Sequence, residues 1–234
     1  MDMTEALLLR KMPYGDADLI VSLFTRDLGK VSGLAKNAKK SMKRFGGRLE
    51  PFVHSRVSFK ERSGGLKFVE DLETVRVFHA FMEDIELFTW GSYLLEYTDI
   101  VLPEQTPNPE LFDLLIKTLD GLDSKKSVLP LVLGFQLDAL SLSGYEPNLQ
   151  SCVDCGRAIE GESFFSVKRG GAVCGDCSTQ KHNSLISRQF LEDRDQMDIY
   201  LGKVLKYIKL FTKFTEYHTE KELKSSRFIE ELTI

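Results

Sequence analysis

Several features of membrane, secreted and catalytic proteins are missing from this sequence. Its 234 residues hold no apolar run near the roughly 18 needed to cross a bilayer, and residues 1–5 lack the layout of a signal peptide. There are only four histidines, and no phosphate-binding glycine loop, His-Glu-x-x-His or nucleophile-elbow pattern. These absences predict a cytoplasmic protein that is not an enzyme and does not enter a membrane. The length is sufficient for two domains with hydrophobic cores.

Cysteine is also scarce, and all four cysteines fall in one pattern. Cys152 and Cys155 form one C-x2-C pair, Cys174 and Cys177 form another, and eighteen residues separate the pairs. Two intervening residues let both sulfurs of a pair reach one ion, and two pairs complete a tetrahedron. Because cytosolic thiols stay reduced, a metal site is favoured over disulfides. We therefore predict one structural zinc ion bound by these four residues.

The segment between the cysteine pairs favours a small zinc ribbon. Residues 163–167 and 172–173 are strand-like and flank a glycine turn, so they predict a hairpin. A four-thiolate shell has no open position for water or substrate, which argues against a catalytic zinc. Four free cysteines or a redox pair are the alternatives. We expect the ribbon as an insert at about residues 148–181.

The net charge of −4 conceals a strong asymmetry along the chain. Residues 1–80 contain 15 Lys and Arg against 10 Asp and Glu, whereas residues 81–150 contain 3 against 12. Residues 151–234 are balanced, with 13 of each kind. A basic part followed by an acidic part indicates an anion-binding domain beside a domain with another role.

The first 78 residues have the pattern of a small β-barrel. Short apolar or β-branched segments separated by turn signals predict five strands, with a turn expected at 11–16. The strands are predicted at 5–10, 18–25, 30–36, 51–59 and 66–77. This spacing favours a five-stranded OB-fold, although strand count alone leaves a small sandwich or an SH3-like barrel as alternatives.

From residue 79 onward the hydrophobic period changes to that of helices. Phe81, Ile85, Phe88 and Leu95 are expected on the buried face of the first helix. The helices are predicted at 80–100, from Pro109 onward, at 130–143, after a capping Ser187 and at 199–214. The predicted fold class is therefore α+β multidomain, with an OB-fold domain at 1–78, the candidate anion-binding domain, and an all-α domain at 79–234 that carries the ribbon.

A dense run of cations surrounds the connection between the third and fourth predicted strands. Residues 26–48 contain eight Lys or Arg residues and one acid, Asp27. Cations on a barrel loop can follow a phosphate backbone and release its counterions. A solvated charged loop is the alternative, but such an excess of cations on an acidic protein favours a function. The predicted DNA-binding residues are Arg26, Lys30, Lys36, Lys39, Lys40, Lys43, Arg44 and Arg48.

Three phenylalanines near this run could present a stacking face to a base. They are Phe45, Phe52 and Phe59. Because most barrel phenylalanines are core residues, we expect them in the core.

Several segments closely resemble the RecO family. The N-terminal part carries the most specific resemblance, the cysteine ribbon lies where many family members have one, and residues 217–227 are similar to the family's closing motif. The N-terminal segments are Thr4–Arg10, Tyr14–Asp18, Thr25–Lys30, Gly33–Lys36 and Arg44–Phe52. Two departures occur: Lys36–Lys39 stands where the family usually has Lys-Gly-Ala-Arg, and the glycine that often follows the C-terminal histidine, here His218, is absent.

The resemblance implies a DNA-binding recombination mediator in DNA repair. It implies an OB-fold, a helical domain, a zinc ribbon, annealing of complementary strands and recombinase loading on single-stranded DNA coated with SSB. The implied partners are single- and double-stranded DNA, RecR, the acidic C-terminal tail of SSB and often RecF, at a cytoplasmic, nucleoid-associated location. A hydrophobic slot near Lys203, Lys206 and Lys209 could hold the tail, although the solvated face of an amphipathic helix is the simpler interpretation.

Two other hypotheses differ in class. In the first, the protein is a scaffold whose acidic helical domain or ribbon binds a basic partner, and DNA contact is incidental. In the second, it is a nuclease or another metal-dependent hydrolase. That hypothesis is weak because the basic domain has no evident carboxylate cluster. Its Asp16, Asp18 and Asp27 lie in predicted turns, where aspartate is common for local backbone reasons.

Overall fold

The structure, a computed structural model, describes residues 3–61, 67–124, 126–178, 184–193 and 197–231. The first residue of the predicted fifth strand, Leu66, lies outside these ranges, as does the end of the predicted ribbon insert, residues 179–181. Among the described residues, no helix combines the length and the apolar character needed to cross a bilayer.

Five strands close into a barrel in the N-terminal part of the chain. They are β1 (Thr4–Tyr14), β2 (Asp18–Thr25), β3 (Gly29–Ala35), β4 (Val53–Glu61) and β5 (Lys67–Val77). Their order is β1-β2-β3-β5-β4, with β1 antiparallel to β4 and β3 parallel to β5. This order is that of an OB-fold, so the predicted fold class is confirmed.

The interior of the barrel is apolar because alternate side chains of each strand point inward. Ala6 and Leu8 of β1 contact Val21 and Leu23 of β2 in one buried cluster. The connection between β3 and β4 adds Leu49 to the same cluster. The alternation of apolar residues in the sequence therefore identifies side chains that form the barrel core.

The first strand is longer than predicted. Residues 11–16 were expected to form a turn, but β1 continues to Tyr14, which pairs with Asp18, and the turn is confined to residues 15–17. Pro13 is tolerated there because this half of β1 pairs with β2 alone; its contact with β4 ends at Leu7. The second half of β1 is thus an edge strand.

Helices make up most of the remaining chain. They are α1 (Met42–Phe45), α2 (Ala80–Glu83), α3 (Ile85–Val101), α4 (Pro109–Asp123), α5 (Val128–Leu142), α6 (Arg188–Glu192), α7 (Leu201–Thr219) and α8 (Ser226–Glu231). Asn108 caps α4 ahead of its first residue, Pro109, and Ser187 caps α6 by accepting the Phe190 N–H. The predicted helix start at Pro109 and the predicted cap at Ser187 are therefore confirmed.

The predicted helix over 80–100 is broken, and its predicted buried face is partly wrong. Asp84 ends α2 and caps α3 by accepting the N–H groups of Glu86 and Leu87. Ile85 is 75% exposed and Phe88 is 43% exposed, because the break shifts the buried stripe of α3 to other residues. That stripe includes Leu87, Trp90, Tyr93, Leu94 and Tyr97, whereas Phe81 and Leu95 are buried as expected.

A buried polar network joins three helices at the centre of the helical part. The amide of Gln136 on α5 donates to the Tyr93 hydroxyl at 2.5 Å, and that hydroxyl lies 2.8 Å from the Thr212 hydroxyl on α7. One turn along, the hydroxyls of Tyr97 and Thr215 are 2.7 Å apart. Burial raises the pKa of both tyrosines, so they stay neutral. Hydrogen-bonded polar pairs of this kind fix the register of packed helices.

The cysteine segment forms a small sheet that packs on α7. The predicted hairpin is present as β6 (Glu162–Ser166) and β7 (Gly171–Val173), and a third strand that we did not predict, β8 (Ser184–Ser187), pairs with the other edge of β6. The ring of Phe165 contacts Phe211 and Phe214, each at 5.7 Å between centroids. His218 bonds the Val167 carbonyl at 2.8 Å, so this histidine has a structural role at the junction.

A substitution at Gly91 tests how closely α3 packs against the rings of Phe52 and Phe81. A Cβ there would lie 2.6 Å from ring atoms of Phe52 and Phe81, which stack on each other. We expect Gly91→Ala to reduce the free energy of unfolding by about 1–3 kcal/mol through overpacking. Gly202→Ala on α7 is the control, because a Cβ there meets no atom within 4 Å and better helix propensity should raise stability by up to about 1 kcal/mol. Urea denaturation followed by circular dichroism measures both; equal stability of the two variants would contradict the packing.

Candidate nucleic-acid interface and metal centre

The basic loop, residues 36–48 between β3 and β4, closes one end of the barrel. Its single helical turn, α1, directs Phe45 into the barrel core, where this side chain is 4% exposed. Burial of one large ring anchors a segment that otherwise carries mainly polar and charged side chains. The loop is therefore an ordered cap on the barrel.

Two arginines hold the basic loop against β5. Arg44 donates to the carbonyl oxygens of Val69 at 3.0 Å and Glu70 at 2.8 Å. Arg48 donates to the Leu72 carbonyl at 3.3 Å. Because guanidinium groups carry several donors in a rigid plane, they satisfy exposed carbonyls well. The structure places these two predicted DNA-binding residues in internal contacts.

The turn between β1 and β2 fixes the other side of the basic loop. The Asp18 carboxylate accepts the Asn37 N–H at 2.7 Å, and the Ala17 carbonyl accepts the Lys39 N–H at 2.9 Å. The Lys39 ammonium also donates to the Gly15 carbonyl at 2.9 Å. The left-handed backbone of Asn37, with φ of 59°, starts the loop at this contact.

Three lysines of the basic loop remain available. Lys36, Lys40 and Lys43 are exposed, and within the described ranges none of their ammonium groups has a hydrogen bond or ion pair. They stand on a backbone that the contacts above hold in place. The structure therefore brings three unpaired positive charges together at one end of the barrel.

The remaining two predicted residues point toward the helical domain. Arg26 makes a two-point contact with Asp113 on α4, at 3.0 and 2.7 Å, and this contact lowers the pKa of the Asp113 carboxyl. Lys30 is 5% exposed, and its ammonium lies 2.7 Å from the Asp99 carbonyl and 3.2 Å from the Asp99 carboxylate. These side chains join the two parts of the molecule.

The acidic middle segment accounts for these contacts. Besides Asp99 and Asp113, it supplies Asp120 and Asp123, which both pair with Arg76 at the end of β5. Opposite charges on the two parts of the chain thus meet across their junction. The charge asymmetry is visible in the sequence, but one hypothesis assigned the acidic residues to the binding of a basic partner protein. Only the fold shows which charges face each other.

Most aromatic side chains near the basic loop are at least partly buried, and one is exposed. Phe45 is in the barrel core and Phe59 packs partly buried against it, as expected, whereas Phe52 is buried against Phe81 in the cluster of the helical part. Tyr14, at the end of β1, is 55% exposed. Sequence reasoning missed this residue because it placed Tyr14 inside a turn, although a tyrosine beside a glycine turn is a usable signal of exposure.

Four sulfur atoms form a compact cluster in the ribbon. The Sγ atoms of Cys152, Cys155, Cys174 and Cys177 all lie within 4.8 Å of one another. Those of Cys155 and Cys174 are 3.7 Å apart, close to the roughly 3.8 Å edge of a tetrahedron with metal–sulfur distances of about 2.3 Å. The predicted residues are therefore placed where they can hold one metal ion, and the all-thiolate donor set fits zinc.

Hydrogen bonds around the cluster favour thiolates at two positions. The backbone N–H of Cys174 lowers the pKa of Cys152 to about 6, and Arg157 lowers the pKa of Cys155. Hydrogen bonding with Cys155 and Cys174 raises the pKa of Cys177 to about 12, because a further negative charge in this crowded cluster is unfavourable. Arg157 also bonds Asp176 at 2.7 Å, which holds the guanidinium over the sulfurs.

The fold and these sites define a class of two-part proteins. In this class, an OB-fold barrel with a lysine-bearing cap precedes a helical domain whose ribbon holds four clustered cysteines suited to a metal ion. Family profiles described as Recombination protein O N terminal and Recombination protein O C terminal match residues 1–78 and 82–192.

Curated relatives agree with these profiles, and each is called DNA repair protein RecO. The chain is 34% identical to the protein of Desulfatibacillum aliphaticivorans over 98% of this chain and 96% of the relative. It is 36% identical to that of Myxococcus xanthus over 77% and 74%, and 31% identical to that of Dehalococcoides mccartyi over 86% and 82%. The chain belongs to the RecO family of DNA repair proteins.

Proposed function

We propose that this protein is a non-catalytic recombination mediator that binds single-stranded DNA at the basic loop. It anneals complementary strands and, together with RecR, helps to load a recombinase on SSB-coated single strands. The observation that carries the proposal is the set of three exposed, unpaired lysines on an anchored loop. Membership in a DNA repair family supports the choice of DNA as the polyanion.

The mechanism of binding is electrostatic. Lys36, Lys40 and Lys43 neutralise phosphates and release counterions, while Lys39 adds charge at the turn between β1 and β2. Arg44 and Arg48 keep the loop in position, and Arg26 and Lys30 keep the barrel on the helical domain. Single strands and duplexes both present phosphates, and phosphate contacts carry no sequence information. We therefore include both single- and double-stranded DNA among the ligands.

Replacing the unpaired lysines tests this assignment. Lys36→Ala, Lys40→Ala and Lys43→Ala together should weaken binding of single-stranded DNA at least about tenfold. The slope of log K against log salt should fall by about 2, because each phosphate that a lysine neutralises on a single strand contributes roughly 0.7 to that slope. Fluorescence anisotropy at several salt concentrations measures both quantities.

The matched control removes the same charge elsewhere: Lys206→Ala, Lys209→Ala and Lys213→Ala on α7. This variant should bind DNA as the unaltered protein does. Equal losses in both triple variants would show that overall charge, and not the loop, determines the affinity.

A slot on α7 is the proposed docking site for the acidic tail of SSB. Leu205 and Leu210 line a cavity of about 350 Å³ that Lys206, Lys209 and Lys213 surround. A groove lined by leucine and lysine side chains suits a peptide that ends in a carboxylate and carries acidic residues. Lys203, which was expected beside it, lies over the rings of Phe190 and Tyr207.

The two triple variants should separate the two ligands. The α7 variant is expected to lose binding of a synthetic SSB-tail peptide by at least about tenfold, because each charge-assisted hydrogen bond contributes about 1.5–3 kcal/mol. The basic-loop variant should bind that peptide normally. Isothermal titration calorimetry measures both affinities; normal peptide binding by the α7 variant would place the tail elsewhere.

We further propose that the ribbon binds one structural zinc ion. Four thiolates close the coordination shell, so the ion would supply folding energy and not a reactive water. RecR, and often RecF, are the further protein partners, and the site of action is the nucleoid in the cytoplasm. These assignments rest on family membership and on the geometry of the sulfur cluster.

Metal analysis tests the zinc assignment. Cys155→Ser with Cys177→Ser should abolish zinc retention and lower the thermal stability of the helical domain, because the metal holds the ribbon together. Arg157→Gln is the milder comparison: it should weaken zinc affinity roughly 10–100-fold while one equivalent still binds. Mass spectrometry of the metal content measures stoichiometry, and competition with a chelator measures affinity. A stable, metal-free protein with the native cysteines would refute the assignment.

A further inference from the structure

An exposed aromatic ring lies beside the basic loop. Tyr14 is the last residue of β1 and is 55% exposed, and Met12, two residues earlier, is 51% exposed. Within the described residues, the Tyr14 hydroxyl has no hydrogen bond and the ring packs on no other ring. The ring contributes little to the packing of the fold, so one of its faces is free to contact a ligand.

Strand pairing shows which way the Tyr14 ring points. Tyr14 is directly opposite Asp18 in the antiparallel ladder, and side chains of such a pair lie on the same face. The Asp18 carboxylate accepts the N–H of Asn37, the second residue of the basic loop. The Tyr14 side chain therefore lies on the face of the β1–β2 hairpin that meets the basic loop.

A cation of the basic loop contacts the residue that follows Tyr14. The ammonium of Lys39 bonds the carbonyl of Gly15, which directly follows Tyr14. Met12 shares the face of Tyr14, because residues two apart in a strand point the same way. A flat apolar surface thus borders the charges that the proposed function assigns to phosphate contacts.

The other candidate rings of the barrel are not available for this role. Phe45 fills the barrel core, and Phe52 is stacked on Phe81 with its centroid 4.4 Å away. Phe59 packs against the barrel core. Among the described residues of the barrel, Tyr14 is the aromatic side chain that exceeds half exposure.

We propose that Tyr14 is a stacking platform for one base of single-stranded DNA whose phosphates contact the basic loop; this inference rests on the proposed function. Stacking uses the face of a base and is insensitive to its identity. It leaves the pairing edge of the base free. A strand held in this way can pair with a complementary strand while its backbone stays neutralised by lysines, which joins DNA binding to annealing in one site.

Substitution at Tyr14 tests the platform in the full-length protein. Tyr14→Leu keeps an apolar side chain and removes the ring, and it should weaken binding of single-stranded DNA about tenfold. Tyr14→Phe keeps the ring and should bind as the unaltered protein does. The salt slope should stay unchanged in both variants, because the lysines still neutralise the same phosphates. Duplex affinity should also be unchanged, because bases in a duplex are not available for stacking.

A spectroscopic signal separates stacking from a structural effect. Oligothymidine containing one 2-aminopurine should lose fluorescence on binding to the unaltered protein and to Tyr14→Phe, and keep it with Tyr14→Leu at saturating protein. Unchanged affinity and unchanged quenching in Tyr14→Leu would overturn the platform and leave the proposed function intact. Absence of salt-sensitive binding by the unaltered protein would overturn the proposed function, and the platform with it.

Discussion

The buried ammonium of Lys30 determines how the two parts of this molecule fit together. A cation removed from water is tolerated only when it is paired and hydrogen-bonded, and Lys30 finds both partners in Asp99 of α3. Its neighbour Gly29 lies against the backbone of Thr106, where a Cβ would be 2.2 Å from the carbonyl oxygen. Glu104, 3.6 Å from the same ammonium, adds a second negative charge, so rotation of the barrel would pull this buried cation away from its partners. The barrel is therefore held in one orientation on the helical domain.

This constraint separates the cations of the barrel into two groups. Arg26, Lys30 and Arg76 face acids of the helical domain, while Lys36, Lys40 and Lys43 are at the capped end of the barrel. The acidic segment that gives the protein its negative net charge is in part the internal counterpart of the barrel. A nucleic-acid role is therefore compatible with a net charge of −4, because within the described ranges no acid pairs with the three exposed lysines of the basic loop.

The ribbon and the basic loop illustrate two different uses of local sequence. In the ribbon, the C-x2-C spacing brings both sulfurs of a pair close together by itself, and the fold only has to bring the two pairs together. In the loop, Phe45 and two arginines fix the backbone so that the neighbouring lysines can point outward. The first arrangement is visible in residue spacing, whereas the second depends on carbonyl groups of β5 that are distant in sequence.

Much of the fold could be predicted because its signals are local. Strand periodicity, helix-start signals such as Pro109 and Ser187, and cysteine spacing each depend on a few neighbouring residues. The errors occurred where distant contacts compete with local pattern. Ile85 and Phe88 have helical spacing with Phe81 but are exposed, because the break at Asp84 changes which face of α3 meets the core. The strand β8 was missed because only pairing with β6 defines it.

The sequence by itself indicated a barrel followed by helices, the clustering of the four cysteines and the excess of positive charge between residues 26 and 48. It could not show which of the eight cations pair within the protein and which do not, because Lys and Arg residues look equivalent in the sequence until their neighbours in space are known. The tertiary structure assigned Arg26 and Lys30 to the junction and Arg44 and Arg48 to the loop, and it left three exposed lysines without a partner among the described residues. The physical reason is that the partner of a charge is set by distance in space. The carboxylates and carbonyls of the helical domain and of β5 that pair with these four cations are 24 to 87 residues away along the chain.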